Sequence, residues 1–179
     1  MTKDDTFTVQ PADILSALGL LSRLPVRVDF DTAQQRGAKA AWAYPVAGAV
    51  LGLIAVVLGI GLQAVGLHDA LTAGLVLGAF VAMTGAMHED GLADCADGFW
   101  GGWTSERRLE IMKDSQIGTY GVLVLLVSIG LRWQALTLLM EAEAFLPIIA
   151  AAVASRSAMV WVMYSLPNAR HSGLSHHTG

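Results

Sequence analysis

Charge is scarce in this chain. Only 15% of its 179 residues are Asp, Glu, Lys or Arg, against 54% that are hydrophobic. Water-soluble domains carry about 25% charged and about 45–50% apolar residues. The surplus comes in runs, which excludes an ordinary soluble domain and reads as an integral membrane protein. Cysteine is nearly absent. Cys95 stands alone, so no intrachain disulfide can form. It reads as a small residue on a crowded helix rather than as a metal ligand, because a metal among carboxylates prefers oxygen to sulfur. The N-terminus lacks a basic stretch ahead of an apolar one. Lys3, Asp4 and Asp5 stand there instead, so a cleaved signal peptide is not expected. No internal repeat stands out. The net charge of −4 points to no particular partner, and nucleic acid is not expected to be one.

What is present is a series of apolar runs. Residues 46–67 hold no charge over 22 positions, with Gly48 and Gly52 as a small-xxx-small pair that permits close helix approach in lipid. After a short turn at His68 and Asp69, residues 70–87 form a second run of 18 uncharged positions, leading directly into acidic sequence. Residues 120–140, containing Arg132, and 145–166, containing Arg156 with Pro147 in the first turn, complete four candidate spans. Glu141 and Glu143 mark the turn between these two, and Pro167-Asn168 ends the last. Residues 11–24 predict a short helix, interfacial or re-entrant, ended by Pro25. Residues 27–40 predict a polar loop and residues 1–9 disorder. The tail from Ala169 is polar, and its three histidines show no metal-ligand spacing. The expected fold is an all-α polytopic transmembrane bundle of about four spanning helices. A short N-terminal interfacial helix and a cytoplasmic acidic helical segment are added to it, in a single integral-membrane domain over residues 1–179.

Lys and Arg orient this bundle. Five precede the first span, none lies in the turn at 68–69, Arg107, Arg108 and Lys113 lie in the central segment, none lies at 141–144, and Arg170 is in the tail. The bias alternates at every crossing. The N-terminus, the central segment and the tail are therefore expected on the cytoplasmic side.

The central segment carries the chemistry. His88-Glu89-Asp90-Gly91-Leu92-Ala93-Asp94-Cys95-Ala96-Asp97-Gly98 is followed by Lys113-Asp114-Ser115-Gln116-Ile117-Gly118-Thr119-Tyr120-Gly121. On a helix, Asp90, Asp94 and Asp97 fall within about 60° of one another. Carboxylates on one face repel unless a cation joins them. Mg²⁺ wants oxygen ligands and commonly shares its shell with substrate phosphate, so the pattern suits magnesium held against a pyrophosphate at the mouth of the bundle. Asp114 offers a fourth carboxylate beside Lys113. Ser115, Gly118, Thr119 and Gly121 offer hydroxyl and backbone N–H donors for phosphate, close to a helix start whose dipole favours anions. A solvated acidic helix end is the plainer alternative. The three acids, two flanking glycines and second polar block together argue against it. His88 reads equally as a helix-end residue and as a catalytic one. Arg132 and Arg156 lie inside apolar runs, where a charge is costly and usually paired or functional. Arg132 is offset enough to snorkel, and Arg156, near mid-span, is the better candidate for phosphate or an Asp partner.

These two blocks resemble the cobalamin synthase family, the adenosylcobinamide-GDP ribazoletransferases. Supporting likenesses run from Leu18-Gly19-Leu20-Leu21-Ser22-Arg23-Leu24-Pro25 through Tyr44-Pro45-Val46-Ala47-Gly48 to Ala154-Ser155-Arg156. The resemblance implies a polytopic enzyme of the bacterial inner membrane that needs Mg²⁺. It joins adenosylcobinamide-GDP to α-ribazole or its 5′-phosphate and releases GMP. Carried onto this chain, it implies metal at Asp90, Asp94, Asp97 and Asp114, and substrate phosphate at Lys113, Ser115, Gly118, Gly121 and Arg156. Catalytic proton handling or orientation falls to Asp97, His88 or Asp114. Expected partners are the two substrates, the bilayer, and a second copy or another cobalamin-assembly enzyme. The family runs longer, with further spans after Arg170, so the chain is expected to be truncated at its C-terminus relative to the family.

Two rival readings are weaker. A CDP-alcohol phosphotransferase-like lipid enzyme also places aspartates on membrane helices, but here Ala93 is followed by Asp94 rather than Arg and the later spacing fails. A cation transporter would spread polar residues through several spans, whereas these acids cluster at the end of one.

Overall fold

The computed structural model describes residues 8–169, and all regular structure among them is helical. Arg170 and the tail histidines lie outside the described residues, as do residues 1–7. The chain divides into two compact units, one of residues 1–57 with 145–179 and one of residues 58–144.

In the first unit, α1 (Ala12–Leu21) ends at Ser22, ahead of Pro25. Ser22 takes over as the stop, its extended backbone leaving the helix while its hydroxyl donates to the Leu18 carbonyl at 2.6 Å. The polar loop expected over 27–40 is instead helical: α2 (Phe30–Arg36) followed by a 3₁₀ helix (Gly37–Ala43). Asp29 starts α2 by accepting the N–H groups of Asp31 and Thr32 at 3.1 and 3.2 Å, the usual work of an N-cap carboxylate. Asp13 joins these elements. It is 1% exposed, accepts Arg36 Nε at 2.7 Å and Nη2 at 2.6 Å, and accepts Trp42 Nε1 at 2.8 Å. The Arg36 guanidinium holds its carboxyl below the ordinary range, against the opposing effect of burial.

The long helix α3 (Tyr44–Ala64) follows. Its Gly48 and Gly52 meet α8 (Leu146–Ser165). A Cβ on Gly48 would stand 2.5 Å from the Ala152 carbonyl oxygen, and one on Gly52 would stand 2.9 Å from the Ile149 Cα. The small-xxx-small pair therefore brings two apolar backbones into contact.

In the second unit, α4 (Asp69–Thr84) and α5 (Met87–Gly101) are separate helices bent by 85°. The unbroken run expected from 70 into the acids is thus corrected. The cause is a pair of left-handed residues, Gly85 at φ 63° and Ala86 at φ 56°. Gly85 takes that conformation freely, whereas Ala86 gives up about 1–2 kcal/mol to redirect the chain. Helix α6 (Ser105–Ile111) turns back after Gly102, and α7 (Thr119–Glu141) follows. Trp133 Nε1 on α7 donates to the Ala70 carbonyl of α4 at 2.7 Å. Gln63 bridges Asp69 Oδ1 and the Met140 carbonyl at 2.7 and 3.1 Å.

Among the described residues, three helical segments are long and apolar enough to cross a membrane: the one ending in α3, α7 and α8. The bent α4–α5 pair makes a fourth if it counts as one broken span. With 23 residues at about 1.5 Å rise each, α7 covers a hydrocarbon core of about 30 Å. Leu123, Leu126, Val127 and Leu131 stay exposed along it, as side chains facing lipid do.

Candidate active site

Helix α5 continues through Gly91 and Gly98 to Gly101, so Asp90, Asp94 and Asp97 do share a face. Their surroundings differ. Asp90 is exposed, Asp94 is half-buried and Asp97 is buried. The buried side of α5, carrying Glu89, Ala93, Ala96 and Asp97, packs against α7. Small residues there admit the closeness on which the next contact depends.

Asp97 reaches the first turn of α7. Its Oδ2 accepts Gly118 N–H at 2.7 Å and its Oδ1 accepts Gly121 N–H at 2.9 Å. Two amides that a helix start leaves without intrahelical partners thus bind one carboxylate, whose charge the helix dipole favours. Both positions require glycine, because a Cβ on either would collide with the Asp97 carboxylate. The two amides expected to cradle phosphate therefore carry Asp97.

Glu89 makes a second attachment. Its Oε1 accepts Arg132 Nη1 at 2.6 Å, while Oε2 is buried with no hydrogen-bond partner. Arg132, expected to snorkel, is paired instead. Glu89 shares the buried side of α5 with Asp97, and 43 residues separate it from Arg132, so no local pattern announced the pair.

At the junction of α5, α6 and the start of α7 lies an open cavity of about 310 Å³. Asp97, Asp114, Gly118 and Thr119 line it with Arg107, Glu110 and Tyr120. Arg107 was not among the residues singled out from sequence. It pairs with Glu110 at 2.9 Å, both side chains about two-thirds exposed (63% and 66%), an arrangement that solvent weakens and a ligand can exchange. Thr104 caps α6 by accepting Arg107 N–H at 3.2 Å. Arg108 Nε donates to the Gly102 carbonyl at 2.9 Å, which holds α6 against the end of α5. Tyr120 on the cavity stacks with Trp100, ring centroids 6.1 Å apart.

Asp114 accepts Gln116 N–H at 3.1 Å in a turn of the kind Asp favours. Lys113 and Ser115 beside it are exposed, and His88 is half-buried. Arg156 lies on α8 in the first unit, 5% exposed, with Nη1 donating to Ser155 Oγ at 2.9 Å. Thus Asp97, Asp114 and Gly118 meet at one cavity that also has Thr119, while His88, Asp90, Asp94, Lys113, Ser115, Gly121 and Arg156 are not among its lining residues. Among the described residues, no group of three or more His, Cys, Asp and Glu is arranged to hold a metal ion. The oxygen donors of Asp90 and Asp94 on one face of α5 still fit Mg²⁺, which is usually held by one or two carboxylates completed by substrate phosphates and water, whereas Asp114 forms no such group with them. Asp97 fits it less well, since each of its oxygens already receives an N–H.

Apolar helices of spanning length, with an acid-bearing helix held against the start of one of them, define an all-α membrane protein. The cobalamin-5-phosphate synthase family model matches residues 13–179, and the chain belongs to that family. It is 43% identical over 175 residues to the adenosylcobinamide-GDP ribazoletransferase of Brucella anthropi. It is 41% identical over 172 residues to those of Brucella canis and Brucella suis. Each of these alignments covers 93% of this chain and 66% of the relative, so the chain spans just under two-thirds of their length. No solved structure matches it.

Proposed function

We propose that this chain carries the transferase chemistry that its relatives' name describes, joining adenosylcobinamide-GDP to α-ribazole or its 5′-phosphate with release of GMP. The observation that carries the reading is the cavity at the end of the acid-bearing helix, where Asp97, Asp114, Arg107 and Thr119 converge at the start of α7.

The reaction is an in-line displacement at phosphorus. The ribazole hydroxyl attacks the phosphorus on the cobinamide side and GMP departs with the pyrophosphate's bridging oxygen. Positioning and charge neutralisation supply most of the rate in such transfers. Asp90 and Asp94 would hold Mg²⁺, which when bound neutralises pyrophosphate charge, and Asp114 orients the nucleophile. Arg107 exchanges Glu110 for a phosphate oxygen, and Thr119 offers a hydroxyl donor. Lys113 and Ser115 add further donors toward phosphate. His88 or Asp114 takes the proton of the attacking hydroxyl. The alternation of Lys and Arg between spans supports a bacterial inner-membrane location, with the N-terminus and this site on the cytoplasmic side. Faces with small residues support association with a second copy or with another enzyme of the same assembly sequence.

The test is turnover in liposomes with both substrates and Mg²⁺, read as GMP and a cobalamin product. GMP release that requires both substrates is the expected result. No GMP from this chain, under conditions where a full-length relative turns over, would overturn the reading for this chain.

A further inference from the structure

We propose that Asp97 is the positioning residue of the acidic motif rather than one of its metal ligands. It clamps α5 to α7 and thereby sets the direction of the face that carries Asp90 and Asp94. The proposal rests on the magnesium-dependent reading above and narrows it.

Three observations carry it. First, both carboxylate oxygens of Asp97 are engaged, one by Gly118 N–H at 2.7 Å and one by Gly121 N–H at 2.9 Å, on a residue only 9% exposed. Second, the receptacle is built for that carboxylate. The three atoms nearest a Cβ on Gly118 all belong to Asp97, and its carboxylate is also the closest group to a Cβ on Gly121. Third, the charge at this place has the wrong sign for a cation. A helix start carries roughly half a positive charge, so a divalent ion on Asp97 would face the same N–H dipoles that the carboxylate now satisfies.

The geometry gives the clamp its consequence. Each residue turns a helix by about 100°, so fixing Asp97 against α7 fixes the direction in which Asp94 and Asp90 point from the preceding two turns. The Glu89–Arg132 pair at 2.6 Å holds the other end of α5 to the same helix. With both ends attached through the buried side, the face that carries the exposed Asp90 and the half-buried Asp94 is held in place.

The decisive experiment uses the unmodified chain in detergent. Hydrogen exchange of the Gly118 and Gly121 amides is followed with and without Mg²⁺ and inorganic pyrophosphate. Protection that persists when both are added is expected. Loss of protection at both amides on addition would overturn the proposal, because it would mean that Asp97 leaves α7 for the metal. Variants supply an independent reading through Mn²⁺ binding with pyrophosphate, measured by electron paramagnetic resonance. Asp97→Asn and Gly118→Ala should each weaken Mn²⁺ binding about 10-fold, as losses of support for a metal site do. The double variant should be no weaker than either single one. Asp97→Asn that abolishes Mn²⁺ binding while Gly118→Ala leaves it intact would overturn the clamp as well. Absence of Mn²⁺ binding in the unmodified chain would defeat the magnesium reading instead, and amide protection alone would then decide whether Asp97 is a clamp.

Discussion

Two buried aspartates solve the same electrostatic problem in different ways. Asp13, in the first unit, is met by a guanidinium, with Arg36 gripping both oxygens and Trp42 adding a third donor. Asp97, in the second, is met by two backbone amides and the start of a helix. The first solution cancels the charge with a cation. The second stabilises the charge with partial dipoles and leaves the net charge of its surroundings negative, with Asp114 and Glu110 on the same cavity. Asp13 is neutralised where it stands, whereas Asp97 leaves a negatively charged cavity beside it. The contrast separates a node that serves the fold alone from one that stands at the proposed site.

The largest way to test that separation is Asp94→Asn. Loss of a metal-binding carboxylate should lower turnover about 100-fold or more, while insertion and thermal midpoint stay near those of the parent. Full activity in that variant would end the assignment of metal to α5. Asp13→Asn should do the reverse. It breaks a bidentate buried pair and leaves Arg36 without its carboxylate, so the thermal midpoint falls by several degrees, while activity per folded molecule is kept. Equal losses of activity in both variants would erase the distinction.

Smaller effects sharpen it. Gly52→Ala should destabilise the chain because its Cβ meets the α8 backbone, whereas Gly78→Ala, with nothing within 4 Å, should be neutral or stabilising by up to about 1 kcal/mol through helix propensity. Matched thermal melts decide between them. The smallest effect is on pH dependence. Because Asp13 titrates below its ordinary value of 3.8, its contribution to stability is complete above that value and is lost as pH falls through the folded-state value. An Asp13→Asn melt series should therefore lose part of the acid limb seen in the parent and match its slope near neutrality.

Much of this was legible because it is written locally. The apolar runs at 46–67, 120–140 and 145–166 became α3, α7 and α8 with shifts of a few residues. Glu141 and Glu143 do lie at the turn between the last two. The acids of α5 share a face because helical spacing is a property of the backbone alone. Other features were written just as locally and were passed over. Asp29 followed by Thr32 is a cap for α2, but a seven-residue helix leaves too short a pattern to overcome its polar composition. Gly85 lies inside the uncharged run 70–87, which is read as one span, although it ends α4 in the left-handed conformation.

By itself, the amino-acid sequence determined the helical class, the length and apolarity of the spans, and the concentration of carboxylates on one face of one helix. Each follows from spacing and composition within about twenty residues, the range over which backbone geometry is self-contained. Only the tertiary structure decided which acid does what. It sent Asp97 to amides 21 and 24 residues away and Glu89 to an arginine 43 residues away, and it brought Arg107 to the cavity in place of Lys113. Those choices depend on the 85° bend after α4 and on how closely α5 can approach α7. Both are set by packing between helices, so identical carboxylates along one helix acquire different partners and different work.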